Sequence, residues 1–241
     1  MAVRGIVIVL SLSLINMAIS RDNKWNLFVF AQQWPPAACI NAPPKYNCNH
    51  VPNQVKTWTV HGLWPNLDDM KVMNCNNSWH FNWDMVKSLE KQLNASWPNM
   101  FGKQPHQWLW KHEWQKHGTC AATLKATDNQ LRYFQKALSL NSIAAFNPQK
   151  ALEKAGITPS CSKAYSIDAI KDAVKKYFRI NTDLHMTCSR HKIMDRTLLQ
   201  EIYIALTKTF NVTRLPDHHD LFCKPKDKIY ILPLHDIHCS K

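Results

Sequence analysis

The stretch Trp58-Thr-Val-His-Gly-Leu-Trp-Pro-Asn66 bears on both the fold and the chemistry. From Val55 to Leu63, polar Thr57, Thr59 and His61 alternate with apolar Trp58 and Val60. A period of two predicts a strand that carries His61 on its polar face. Upstream, Asn26-Leu-Phe-Val-Phe-Ala-Gln-Gln33 is apolar on both faces and reads as a buried strand. The cysteine- and proline-rich stretch from Pro35 to Pro52 between them reads as a loop. Downstream, Val86, Leu89 and Leu93 mark a helix from about Asp84, and Leu131, Phe134 and Leu138 mark another capped by Asp128. A third runs from Ser166 to Phe178, with Ile167, Ile170, Val174 and Phe178 on one face. Leu199 to Phe210 could be helix, but its β-branched content and the alternation of Ile202, Ile204 and Leu206 favour strand. Asp227 to Leu232 is a last short strand. The sum is a single α+β domain with a central, largely antiparallel β-sheet flanked by helices.

A second stretch, Trp110-Lys-His-Glu-Trp-Gln-Lys-His-Gly-Thr-Cys120, carries the remaining chemistry. On a uniform α-helix turning about 100° per residue, Glu113 and His117 share a stripe, as do His112 and Lys116. Trp110 and Trp114 then stack on an adjoining apolar stripe. An imidazole from the strand and one from the helix suit acid and base work on a phosphodiester whose nucleophile is the neighbouring 2′-hydroxyl of RNA. Lys116 and a protonated His112 can stabilise the charge that develops. On the same geometry His112 and His117 diverge by about 140°, one residue beyond the His-Glu-x-x-His pattern of zinc proteases. The chain has no Cys-x-x-Cys, no Gly-x-Ser-x-Gly and no Gly-x-x-x-x-Gly-Lys loop, which disfavours in turn a structural zinc site, a Ser-His-Asp hydrolase and nucleotide hydrolysis. His218-His219-Asp220 is expected to be an exposed polar loop rather than a metal site.

The chain has 241 residues and a formal charge of +13, a balance that attracts polyanions. Met1 to Ser20 holds Arg4 as its one charge, an apolar run from Gly5 to Ile15, and small residues at Ala18 and Ser20. That order predicts a signal peptide, leaving residues 21–241 as one catalytic domain. No segment reaches the roughly 20 apolar residues of a membrane span. All eight cysteines (Cys39, Cys48, Cys75, Cys120, Cys161, Cys188, Cys223 and Cys239) lie beyond residue 20, so four disulfides are expected. About 105 pairings are open on spacing alone. Sequons at Asn76, Asn94 and Asn211 suit an exported glycoprotein, either secreted or lysosomal.

His61-Gly-Leu-Trp-Pro and His112-Glu-Trp-x-Lys-His-Gly-Thr-Cys120 resemble the two active-site segments of the ribonuclease T2 family. The likeness extends through Gln33-Trp-Pro-Pro with Cys39, Cys75, Trp97-Pro98 and Ala155-Gly156-Ile157. The resemblance implies single-stranded RNA as partner, with cleavage to a 2′,3′-cyclic phosphate and then a 3′-phosphate, and no metal or organic cofactor. It implies His117 as general base and His61 as general acid, Glu113 and Lys116 stabilising the transition state, and His112 holding the phosphate. It also implies the pairs Cys75–Cys120, Cys39–Cys48 and Cys188–Cys223, leaving Cys161 with Cys239. Trp64 can stack on a base or belong to the core, and Gln33 and Asn99 resemble positions that touch the second base in some relatives. Leu109 stands where relatives often carry an aromatic, and Asn66 where some carry Asp, so base preference does not transfer. Nothing suggests an obligate oligomer, and a monomer is expected. The rival expectation is a secreted binding or signalling protein that keeps this scaffold without needing cleavage.

Overall fold

In the computed structural model, which describes residues 24–42, 48–100, 105–191, 193–215, 223–224 and 226–239, β1 (Leu27–Gln33) is buried at every position. It lies between β2 (Thr59–Leu67) and β6 (Arg196–Thr207), antiparallel to both. The sheet continues to β3 (Met70–Lys71) beyond β2, and to β7 (Ile229–Tyr230) and β4 (Ala164–Tyr165) beyond β6. β5 (His185–His191) is a further antiparallel partner of β6. Among the described residues only β6 and β7 pair in parallel. The expected α+β architecture with a largely antiparallel sheet is therefore present.

Residues paired across strands share a face of the sheet, which divides β1 into two surfaces. Phe28 and Phe30, with Leu206, Ile204 and Leu63, pack into the main core beside Leu93, Phe134, Ile170 and Val174 of the helices. On the opposite face Val29 pairs with Trp64 and Ala205, Ala31 with Tyr203, and Gln33 with Glu201. Thr187 of β5 pairs with Glu201 from the other side. This second face carries the polar and ionisable groups.

The helices are α1 (Pro35–Ile40), α2 (Glu90–Ser96), α3 (His106–Glu113), α4 (Thr119–Ala121), α5 (Gln130–Leu140), α6 (Gln149–Lys154) and α7 (Ile167–Phe178). The stretch expected as a loop from Pro35 begins instead as α1, because two prolines in the first turn lose no helical hydrogen bond there. The helix expected from Asp84 starts as two 3-10 turns, Trp83–Met85 and Lys87–Leu89, and becomes α-helical only at Glu90. Asn129 rather than Asp128 caps α5, its side chain accepting from Arg132 N at 3.0 Å. Asp128 is drawn to the Arg132 guanidinium instead, at 2.7 Å. Ser166 caps α7 and accepts from Ala169 N.

Four disulfides join Cys39–Cys48, Cys75–Cys120, Cys161–Cys239 and Cys188–Cys223. These are the pairs that the resemblance implied. Among the described residues no helix is long and apolar enough to cross a membrane. The segment 1–20 and His218-His219-Asp220 lie outside the described residues.

Candidate active site

The site begins with an irregularity in β2. Gln32 pairs with Val60 and Ala31 with Gly62, so His61 is the extra residue of a β-bulge. A bulge bends its strand and re-aims the side chain that it carries. Burial along β2 then repeats every third residue, leaving His61, Trp64 and Leu67 half-buried. The simple alternation expected from Val55 to Leu63 therefore fails: Thr59 is buried, and the strand starts only there. The backbone at the bulge is clamped from the core, where Trp97 Nε1 donates to His61 O at 2.9 Å and Tyr133 Oη to Leu63 O at 3.0 Å.

The second motif is not a uniform α-helix. α3 ends at Glu113, and Trp114–Gly118 winds as a π-helix before α4 resumes the α form. The stripes expected for His112, Glu113, Lys116 and His117 assumed α geometry throughout, and the π turn interrupts it; His112 is exposed while Glu113 and His117 are buried. Trp114 anchors the turn, its Nε1 donating to Trp79 O at 3.0 Å, and Trp110 is buried beside it as expected. Gly118 makes room for that indole: a Cβ there would lie 2.4 Å from Trp114 Cε3.

Trp64 stands between the two motifs. Its Nε1 donates to Glu113 Oε2 at 2.8 Å, and its ring lies 5.0 Å from the His61 ring and 5.5 Å from that of His117. His61, Glu113 and His117 are thus brought together, with Lys116 half-buried in the same turn. His112 is exposed and stacks on Trp108 at 5.9 Å. Gln33 is buried beside Glu201 in register. Asn99 is buried, and its side-chain amide donates to Pro105 O at 3.3 Å.

Four groups around the site escaped the sequence reading. Glu201 takes a hydrogen bond from His61 Nδ1 through Oε1, while Oε2 accepts from Tyr203 Oη and, at 3.2 Å, from Thr187 Oγ1. Lys71 Nζ sits 5.8 Å from the centre of the Trp64 ring. Glu201 had a signal, since a carboxylate within the apolar run Leu198 to Leu206 must find a partner on burial. Lys71 had none, because β3 is two exposed residues.

The electrostatics set the two histidines apart. Burial lowers the His61 pKa, but the Glu201 carboxylate beside it, with help from Glu113, wins and raises it to about 9. Burial, and then the charges of Lys116, His112 and His61, lower that of His117 to about 2. Its Nδ1 is enclosed without a hydrogen-bond partner. Burial raises the Glu113 carboxyl to about 7, against the opposing pull of His61, Trp64 and Lys116. His112 is lowered by burial and by Lys116. The arrangement holds one imidazole charged and one neutral around a single indole. Among the described residues no group of three His, Cys, Asp or Glu is arranged to hold a metal ion.

The profile of the Ribonuclease T2 family matches residues 25–217. Ribonuclease Oy of Magallana gigas is 36% identical over 216 residues, which is 88% of this chain and 98% of that protein. Ribonuclease T2 of Sus scrofa is 33% identical over 213 residues, 88% of this chain and 99% of the relative. The crystal structure of human RNase T2 superposes with a TM-score of 0.69 at 29% identity, covering 87% of this chain and 99% of that one. RNase NT in complex with 5′-AMP superposes with a TM-score of 0.71 at 26% identity, covering 86% and 98%. With the profile and these relatives matched along nearly their whole length, the chain belongs to the ribonuclease T2 family of endoribonucleases.

Proposed function

We propose that this chain cleaves single-stranded RNA by transphosphorylation, with His117 as general base and His61 as general acid. The observation that carries the reading is the placement of two imidazoles against one indole, His61 bonded to the Glu201 carboxylate and His117 enclosed in the turn that holds Lys116. Neutral His117 takes the proton from the 2′-hydroxyl as that oxygen bonds to phosphorus. Charged His61 gives its proton to the 5′ oxygen as the P–O5′ bond breaks, leaving a 2′,3′-cyclic phosphate. Water then opens the ring to a 3′-phosphate with the roles reversed.

A base with so depressed a pKa is weak in the empty site. Phosphate bound beside it favours the protonated form and restores basicity. Lys116, Lys71 and the His61 imidazolium supply the positive charge that the phosphorane needs, and His112 at the rim holds a phosphate oxygen. Glu113, raised to about 7, is an uncharged acid on the acid side of neutrality and can donate to a phosphoryl oxygen. Trp64 and Gln33 line this face and are assigned to base contact together with Asn99. Residues 1–20 direct export, the mature chain acts as a monomer outside the cytosol, and Asn76, Asn94 and Asn211 are its glycosylation positions.

The test incubates the purified mature protein with single-stranded RNA in excess EDTA and identifies the ends by mass spectrometry. Cyclic 2′,3′-phosphate ends, lost in His61→Ala and His117→Ala, are expected. Retained activity in a clean His117→Ala preparation would overturn the mechanism. No cleavage at any acid or neutral pH would turn the reading to a binding protein on this scaffold.

A further inference from the structure

Glu201 is an expensive residue in its position. It is buried in the middle of β6, flanked in register by Gln33 of β1 and Thr187 of β5. A carboxylate there must have its lone pairs filled. Three donors converge on it from three directions: His61 Nδ1, Tyr203 Oη and Thr187 Oγ1. Burial pushes the Tyr203 hydroxyl well up, so it keeps its proton and remains a donor. Two neutral donors therefore fix the carboxylate, and the carboxylate in turn grips one nitrogen of one imidazole. That imidazole sits on a bulge, which re-aims the side chain that it carries.

We propose that Glu201 is the positioning residue of the general acid, holding the Nδ1–H of His61 so that Nε2–H is the bond that delivers the proton to the leaving 5′ oxygen. This rests on the assignment of His61 as the acid. The other groups that act on His61 are Glu113 of α3 and Lys71 of β3, while His112 of α3 and His117 of the π turn feel its charge. Of these Glu201 alone bonds to Nδ1, so it sets which nitrogen carries the transferable proton. The burial that would discharge His61 is thereby reversed, and the acid form survives through neutral pH.

The experiment compares wild type, Glu201→Gln, Glu201→Ala and His61→Ala on two substrates. One is a dinucleoside monophosphate, whose alkoxide leaving group needs a proton. The other is uridine 3′-(4-nitrophenyl phosphate), whose phenolate does not. The His61 titration is followed by NMR in the folded wild-type and Glu201→Gln proteins, a readout independent of turnover. Glu201→Gln is expected to lower the His61 midpoint and draw the alkaline limb of kcat to lower pH. It should cost about 10-fold or more in kcat on the dinucleotide, with KM little changed and a much smaller loss on the aryl ester. Glu201→Ala, which also frees the ring, should lose more. An unmoved His61 midpoint and equal losses on the two esters in Glu201→Gln would overturn the proposal alone, provided that His61→Ala shows the selective loss. If His61→Ala is equally impaired on both esters, the acid assignment falls and the proposal with it.

Discussion

Trp64 Nε1 donates to Glu113 Oε2 at 2.8 Å, a single bond that fixes the strand motif against the helix motif. Gly62 is what leaves space for it. A Cβ at that position would lie 1.9 Å from Trp64 Nε1 and 2.6 Å from Glu113 Oε2, and neither atom can withdraw without breaking the bond. Gly62→Ala is therefore expected to lose about 100-fold in kcat/KM, the scale of a misplacement of roughly 1 Å at a reacting centre. Overpacking should also lower stability by about 1–3 kcal/mol. Steady-state kinetics on a dinucleotide together with urea unfolding check both. Wild-type activity in this variant would mean that the Trp64–Glu113 bond does not organise the site.

The carboxyl of Glu113, held up to about 7 by burial, predicts a step in the rate. Below that pH it is an uncharged donor; above it, an anion facing an anionic transition state. The rate constant kcat should fall as pH rises through 7, and fall again near 9 as His61 loses its proton. In the empty site His117 is neutral far into the acid range, and with bound phosphate raising it from there its limb falls on the acid side of these two. Glu113→Gln keeps an amide that can donate but cannot ionise, so it should flatten the first step and retain the second. A pH profile of kcat from acid to alkaline conditions for both proteins decides the point. An unchanged first step in Glu113→Gln would assign that step to another group.

The parts of this protein that follow strict periodicity were legible from sequence, as the complete burial of β1 and the Ser166 cap of α7 illustrate. What stayed hidden depends on departures from periodicity. The bulge at His61 adds one residue to a strand, and the π turn at Trp114–Gly118 adds one to a helix turn. Neither insertion changes the composition of its segment. Both occur where the chemistry is, and both turn a side chain away from its ideal direction. The site residues inside the two motifs could be named because their types are unusual together. Glu201 lies 140 residues from His61, and only strand register reveals that the two meet. β5 was hidden for a different reason, since its polar stretch His185–His191 carries no apolar alternation to mark it.

Linkage gives the same groups a signature in stability. Glu113 is raised from 4.5 to about 7 on folding, so its contribution is complete below 4.5 and is lost as pH rises through 7. His61, raised from 6.5 to about 9, likewise contributes below 6.5 and loses that contribution through 9. His117 is lowered, so its contribution is present above 6.5 and fades as pH falls toward 2. The Tm should therefore decline from weakly acid to alkaline pH. Glu113→Gln removes the first loss and should be the more stable protein above pH 7, by at most about 3 kcal/mol. Thermal unfolding of the two proteins at pH values on either side of 7 measures this. Parallel Tm curves would show that Glu113 does not ionise in that range.

The disulfide Cys75–Cys120 closes 45 residues of chain and ends just past the π turn. Beside it, Asn74 N donates to Lys116 O at 2.8 Å, so the bridge holds the backbone of a site residue as well as the fold. Cys39–Cys48 closes only 9 residues, and Cys39 packs in a small separate cluster with Val51, Val55, Met100 and Ile237. Chain entropy gives about 4 kcal/mol for the longer loop and about 3 kcal/mol for the shorter, so the stability losses alone should differ little. Activity should separate them. Replacing Cys75 and Cys120 by Ser is expected to reduce kcat at a temperature where the variant is still folded, because Lys116 and His117 lose their outer support. Replacing Cys39 and Cys48 by Ser should leave kcat near wild type under the same conditions. Kinetics below the measured Tm of each variant provide the comparison, and equal loss of kcat in both would show that the longer bridge supports only the fold.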